Sequence, residues 1–125
     1  MLEMLENSER TALILEDDGD VCELLSMILN VSNLKVVQTD SVIAAEKLME
    51  DIRPSIIFVD HGLPDGKGFN MIPKFRKKYP AATIVAMTGQ RKEELRDLSQ
   101  TEGRFHYMEK PFQFVELLKI IKTAV

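Results

Sequence analysis

Apolar residues follow two alternating rhythms along the chain. Short, nearly continuous apolar runs stand at 11–16 (TALILE), 34–38 (LKVVQ), 55–60 (SIIFVD), 83–87 (TIVAM) and 104–108 (RFHYM), and each reads as a strand. Between them the spacing becomes helical. Val21, Leu24, Leu25, Ile28 and Leu29 recur at i, i+3, i+4, i+7 and i+8, one face of an amphipathic helix. Ala45, Leu48, Met49 and Ile52 share a face in 41–52, with Asp40 or Ser41 as the N-cap. Residues 69–78 read as a helix with Pro73 near its start, where a missing N–H costs little. Residues 91–101 read as a weaker helix, and QFVELLKIIKTAV as a last one with Val115, Leu118 and Ile121 inward. Strand and helix thus alternate five times. Apolar strands covered on both faces by crossover helices predict a parallel sheet in an α/β fold.

The 125 residues suit one domain with a real core. Hydrophobic residues at 45% and charged ones at 29% exclude a disordered chain. Sixteen basic against twenty acidic side chains leave a net charge of −4, a poor basis for binding nucleic acid. Cys22 is the sole cysteine, so no intramolecular disulfide forms. No apolar run nears the ~20 residues that span a bilayer. The opening MLEMLENSER carries acids where a secretion signal carries bases. A cytoplasmic protein that does not engage a membrane is expected. Residues 1–10 read as an N-terminal arm, with Leu2 and Leu5 its only hint of a helix, and 11–125 as the domain.

In open parallel sheets, ligands bind beyond the carboxyl ends of the strands. The chemistry here sits at those ends. Glu16, Asp17 and Asp18 follow the first strand, Asp60 ends the third, Thr88 and Gly89 follow the fourth, and Lys110 and Pro111 the fifth. If these ends converge, crowded carboxylates face one ammonium, and the remaining negative charge invites a hard divalent cation such as Mg²⁺. Carboxylates, metal, hydroxyl and lysine are what phosphoryl transfer to an aspartate requires, with Asp60 as nucleophile. Each residue also has a plainer reading. Asp17, Asp18 or Asp20 can be helix N-caps, Thr88–Gly89 a turn, and Lys110 a solvated lysine. His61 is expected to point away from Asp60, because successive strand residues face opposite sides. KFRKKYP reads as a solvated helix face.

In combination the motifs LILEDD, VDHGLPDGKG, AMTG and YMEKPF resemble the receiver domain of two-component response regulators, of the chemotaxis-regulator type, over residues 11 to 124. The resemblance implies a flavodoxin-like (βα)5 three-layer sandwich whose five-stranded parallel sheet has the order 2-1-3-4-5. It implies that Asp60 accepts a phosphoryl group from a histidine kinase or a histidine phosphotransfer protein. Asp17 would bind Mg²⁺ directly and Glu16 through water, with Asp60 and the Gly62 backbone carbonyl completing the protein ligands. Thr88 and Lys110 would contact phosphoryl oxygens. Thr88 and Tyr107 would form a switch, Gly62 and Gln90 would tune decay of the phosphate, and Lys110–Pro111 would be cis. A downstream output domain or protein would read the change through residues 91–125, the surface that could also serve a homodimer. Where many such domains read Gly-Ala-Asp-Asp-Tyr, this chain has Gly103, Arg104, Phe105, His106 and Tyr107, so the acidic dimer contacts of one large subfamily are replaced.

Such a domain is a signalling module, at most catalysing its own phosphorylation and dephosphorylation. Two other readings are a phosphatase with an aspartate nucleophile and an unphosphorylated interaction module. The first resembles Asp-x-Asp, and the second acid is here Gly62. The second usually lacks an acid, the acceptor or the lysine, and this chain keeps them all.

Overall fold

The computed structural model describes residues 10–89 and 102–124. The expected arm up to residue 9, the expected helix over 91–101 and Gln90 lie outside these residues. The described elements are β1 (Thr11–Leu15), α1 (Gly19–Val31), β2 (Lys35–Thr39), α2 (Val42–Leu48), β3 (Ile56–Asp60), β4 (Gly62–Leu63) and β5 (Gly66–Lys67). A 3₁₀ turn (Gly68–Met71) then runs into α3 (Ile72–Lys78), followed by β6 (Thr83–Thr88), β7 (Phe105–Glu109) and α4 (Phe114–Ala124).

The main sheet has the order β2-β1-β3-β6-β7, parallel throughout. Strands β4 and β5 form a separate antiparallel hairpin. Numbered without that hairpin, the sheet has the expected order 2-1-3-4-5.

Strand alternation divides the core into two layers. Ala12, Ile14, Ile56, Phe58, Val85 and Met87 face α1 and α4, meeting Leu25, Leu29, Leu117 and Ile121. Leu13, Leu15, Ile57, Val59 and Ala86 face the other way, toward Ala45, Phe69, Ile72 and Phe75. All five residues of β3 and all six of β6 are buried, as helices on both faces of a parallel sheet require.

Two helix faces differ from the sequence expectation. In α1 the buried stripe is Cys22, Leu25, Ile28 and Leu29, while Leu24 is 43% exposed. In α4 the buried residues are Leu117, Ile120 and Ile121, and Val115 is 61% exposed. Residues two apart on a helix point about 200° apart, so a face centred on Leu117 turns Val115 outward. Helix α2 also stops at Leu48, short of the expected Ile52.

Capping fixes where the helices begin. The Asp18 side chain accepts from Asp20 N (2.9 Å) and Val21 N (3.3 Å) at the start of α1. Helix α2 has two caps. Ser41 Oγ accepts from Ala44 N at 3.1 Å, and Asp65, from the β4–β5 turn, accepts from Val42 N at 2.8 Å and Ile43 N at 3.0 Å.

The basic run after Pro73 is only partly a solvated face. Lys74, Lys77 and Lys78 are exposed, but Arg76 folds back. Its guanidinium donates to the carbonyls of Pro80 (3.0 Å), Ala82 (2.7 Å) and Arg104 (2.8 Å), fastening the end of α3 to the start of β7. Gly103 lies directly over that guanidinium with φ +85, a place where a Cβ would be strained and would also strike Arg76.

Candidate functional site

The register of the sheet gathers the chemistry at one edge. Asp60, the last residue of β3, pairs with Met87, and Thr88, the last residue of β6, pairs with Glu109. Glu16 follows β1 directly and is held by its N–H, which donates to Thr39 O at 3.0 Å. Lys110 follows β7, and its N–H donates to Thr88 O at 2.9 Å. The Lys110–Pro111 bond is cis, as expected. Glu16, Asp60 and Thr88 are all buried polar residues, exposed by 2%, 7% and 6%.

Lys110 joins the two buried acids. Its Nζ stands 2.5 Å from Glu16 Oε1 and 3.1 Å from Asp60 Oδ1. Asp17, more exposed, completes a group in which one carboxylate oxygen each from Glu16, Asp17 and Asp60 lies within 4.8 Å of the others. The charges balance poorly, with three carboxylates around one ammonium. Burial pushes the Glu16 carboxyl up to about 7, the Lys110 bond pulls against it, and Asp60 adds to the rise. Burial also opposes a charged Lys110, but its bonds to Glu16 and the negative charge of Asp60 hold its pKa above the ordinary lysine value. Cys22 donates to the Glu16 carbonyl at 3.4 Å, and burial, then the Glu16 charge, pushes its thiol up to about 11. Cys22 is therefore a protonated packing residue.

The loop after Asp60 is closed at its base. Gly68 N donates to His61 O at 2.9 Å, and a Cβ on Gly68 would collide with the Asp60 carbonyl. A glycine is required at that close approach. The hairpin in between pairs Gly62 with Lys67 and Leu63 with Gly66. A Cβ on Gly62 would meet nothing within 4 Å, so the space above it is open. The His61 ring packs against Phe69, with centroids 4.2 Å apart.

The residues singled out from sequence thus separate clearly. Glu16, Asp17, Asp60 and Lys110 come together, and Asp18 is a helix cap. Thr88 sits at the same sheet edge. Tyr107 pairs with Ala86, two residues before Thr88, and its hydroxyl points toward Glu109 Oε1 at 3.4 Å, half-buried. Gln90 lies outside the described residues. Sequence reasoning missed Asp65, whose side chain accepts from backbone amides 22 and 23 residues away.

The family model for the response regulator receiver domain matches residues 12–122. The transcriptional regulatory protein KdpE of Staphylococcus aureus is 30% identical over 111 residues, covering 89% of this chain and 48% of its own length. The chain spans about half or less of the length of the curated transcriptional regulators it matches. A CheY-like receiver domain protein from Methanospirillum hungatei has a similar structure, with a TM-score of 0.83 at 25% identity, covering 93% of each chain. A response regulator from Burkholderia pseudomallei, solved with a phosphorylated aspartic acid, a calcium ion and citrate, gives a TM-score of 0.80 at 23% identity, over 92% of this chain and 68% of its own. With its sheet order, its acid–lysine edge and a family match over nearly its whole length, the chain belongs to the response regulator receiver domain family.

Proposed function

We propose that Asp60 is the phosphoacceptor of this receiver domain and takes its phosphoryl group from a histidine kinase or a histidine phosphotransfer protein. The observation that carries this reading is the position of Asp60. It is a buried carboxylate at a strand end, with Lys110 Nζ 3.1 Å away and two further acids alongside. A carboxylate oxygen of Asp60 forms a bond to phosphorus as the P–N bond of a donor phosphohistidine breaks. The electron pair leaves on the imidazole nitrogen, which takes up a proton from solvent. The donor stays the source of chemical energy, and the receiver supplies position and charge.

The donor set fits a divalent cation. Its atoms are all hard carboxylate oxygens, they lie close together, and their charge exceeds what one lysine offsets. Asp17 and Asp60, with the Gly62 carbonyl, would hold Mg²⁺ directly, and Glu16 through water. The ion would supply positive charge opposite the phosphoryl oxygens. Lys110 offers a second positive charge, already between Glu16 and Asp60, and the Thr88 hydroxyl a hydrogen bond from the neighbouring strand end.

The domain's own chemistry then ends with hydrolysis of the acyl phosphate, and its output is a changed surface. Among the described residues, that surface comprises strand β7 and helix α4. Phe114 (58% exposed) and Val115 (61% exposed) add apolar area to it, and Arg104 adds charge. It suits a downstream domain or protein, or a second copy of the chain. Among the described residues, no helix is long and apolar enough to cross a membrane. The test is intact-mass measurement after incubation with acetyl phosphate, with Mg²⁺ or with a chelator. One added phosphoryl group only in the presence of Mg²⁺ supports the reading, and no addition in either condition refutes it.

A further inference from the structure

We propose that Asp65 is a positioning residue for phosphorylation at Asp60, because its carboxylate ties the acceptor loop to the start of α2. The proposal rests on the reading of Asp60 and the Gly62 carbonyl given above. The loop is a rigid unit at its base, closed by the Gly68 N to His61 O bond and by the contact of Gly68 with the Asp60 carbonyl. Its arms are the two-residue strands β4 and β5. A hairpin that short does not hold its own position in water.

The tip is held from outside. Both Asp65 oxygens are engaged, Oδ1 by Val42 N at 2.8 Å and Oδ2 by Ile43 N at 3.0 Å. Charge-assisted bonds of this kind are the stronger class, and both amides are among the orphan donors of a helix start. The next residue, Gly66, lies close enough to α2 that a Cβ on it would sit 3.5 Å from Val42 Cγ2. A chain of contacts therefore runs from α2 through Asp65 to β4, and so to Gly62 and Asp60. Helix α2 does not depend on Asp65 alone, since Ser41 caps it independently through Ala44 N. The two caps share one helix, but only Asp65 also holds the loop.

That difference gives the test. Asp65→Ala, Asp65→Asn and Ser41→Ala are compared with the native protein in three measurements. These are the Mg²⁺ midpoint followed by NMR, the rate of labelling by acetyl phosphate, and hydrogen exchange at the Gly68 amide. Asp65→Ala is expected to raise the Mg²⁺ midpoint about ten-fold, the lower end of what lost outer support costs a metal site. It should also slow labelling and speed Gly68 exchange. Ser41→Ala, with a comparable loss of helix capping, should leave the Mg²⁺ midpoint and labelling within about two-fold. Asn, which can accept only one of the two amides in the same way, should fall between. Equal effects of Asp65→Ala and Ser41→Ala would show plain helix capping and overturn the proposal, as would no effect of either. Labelling that persists in Asp60→Asn would overturn the acceptor reading instead, and Gly68 exchange would still decide whether Asp65 holds the loop.

Discussion

Lys110 Nζ lies 2.5 Å from Glu16 Oε1, joining the residue after β7 to the residue after β1 across the two intervening strand ends, those of β3 and β6. The contact explains how a cluster of buried acids is tolerated. A buried carboxylate without a cation would protonate or disrupt its surroundings. It also places the ammonium against Asp60. Replacing Lys110 with Ala should leave the fold intact but slow phosphorylation by roughly 10²–10³-fold, the cost of deleting one charge-stabilising donor at a reacting centre. Labelling kinetics with acetyl phosphate measure this. A rate within about two-fold of native would show that the ammonium is only a structural counterion.

The proton on Glu16 makes a prediction about pH. Its carboxyl is raised from 4.5 in the unfolded chain to about 7 in the fold. Between those values the folded state binds a proton that the unfolded state has lost. The contribution to stability is therefore full below 4.5 and disappears as pH rises through about 7. Without metal, denaturant midpoints should fall across that window, and Glu16→Gln should flatten the fall. Mg²⁺ competes with the same proton, so its affinity should rise with pH up to about 7 and level off above it. Metal affinity that does not change with pH would remove Glu16 from the ligand set.

Much of this site is legible in the sequence because each residue ends a strand or directly follows one. Parallel strands in register bring such residues to one edge without further information. Glu16, Asp60, Thr88 and Lys110 all obey that rule. Asp65 does not, since its partners lie in another βα unit and no local pattern links Asp65 to Val42. Arg76 is hidden for a similar reason, because a run of lysines around it reads as a wet surface while its carbonyl partners come from the segments leading into the next two strands. Val115 and Leu24 were misplaced because a helix rich in apolar residues offers several stripes. Only the sheet decides which one is buried.

Lifetime of the acyl phosphate should depend on the open space above Gly62. A Cβ there would meet nothing within 4 Å, and an in-line water would have that space to approach through. Gly62→Arg should slow decay of the phosphorylated protein several-fold or more, and Gln90→Ala should change it as well. A chase after removal of the phosphodonor measures both. Decay unchanged in both variants would place control elsewhere.

A switch at Thr88 and Tyr107 would have a spectroscopic signature. A phosphoryl group brings about −1.5 to −2 charges and three acceptor oxygens. Thr88 would bond one of them by moving toward Asp60, and Tyr107 would leave its position near Glu109 for the space so opened. Beryllofluoride with Mg²⁺ should therefore shift the Tyr107 ring and the amides of β7, together with those of the pocket. Shifts confined to residues around Asp60 would mean that the two sites are not coupled.

The central claim is tested most directly by locating the phosphate. Native protein and Asp60→Asn are incubated with acetyl phosphate and Mg²⁺, then compared by intact mass and by mapping of the labelled peptide. The native protein is predicted to gain one phosphoryl group, on the peptide containing Asp60, and Asp60→Asn to gain none. Equal labelling of the two proteins would contradict it.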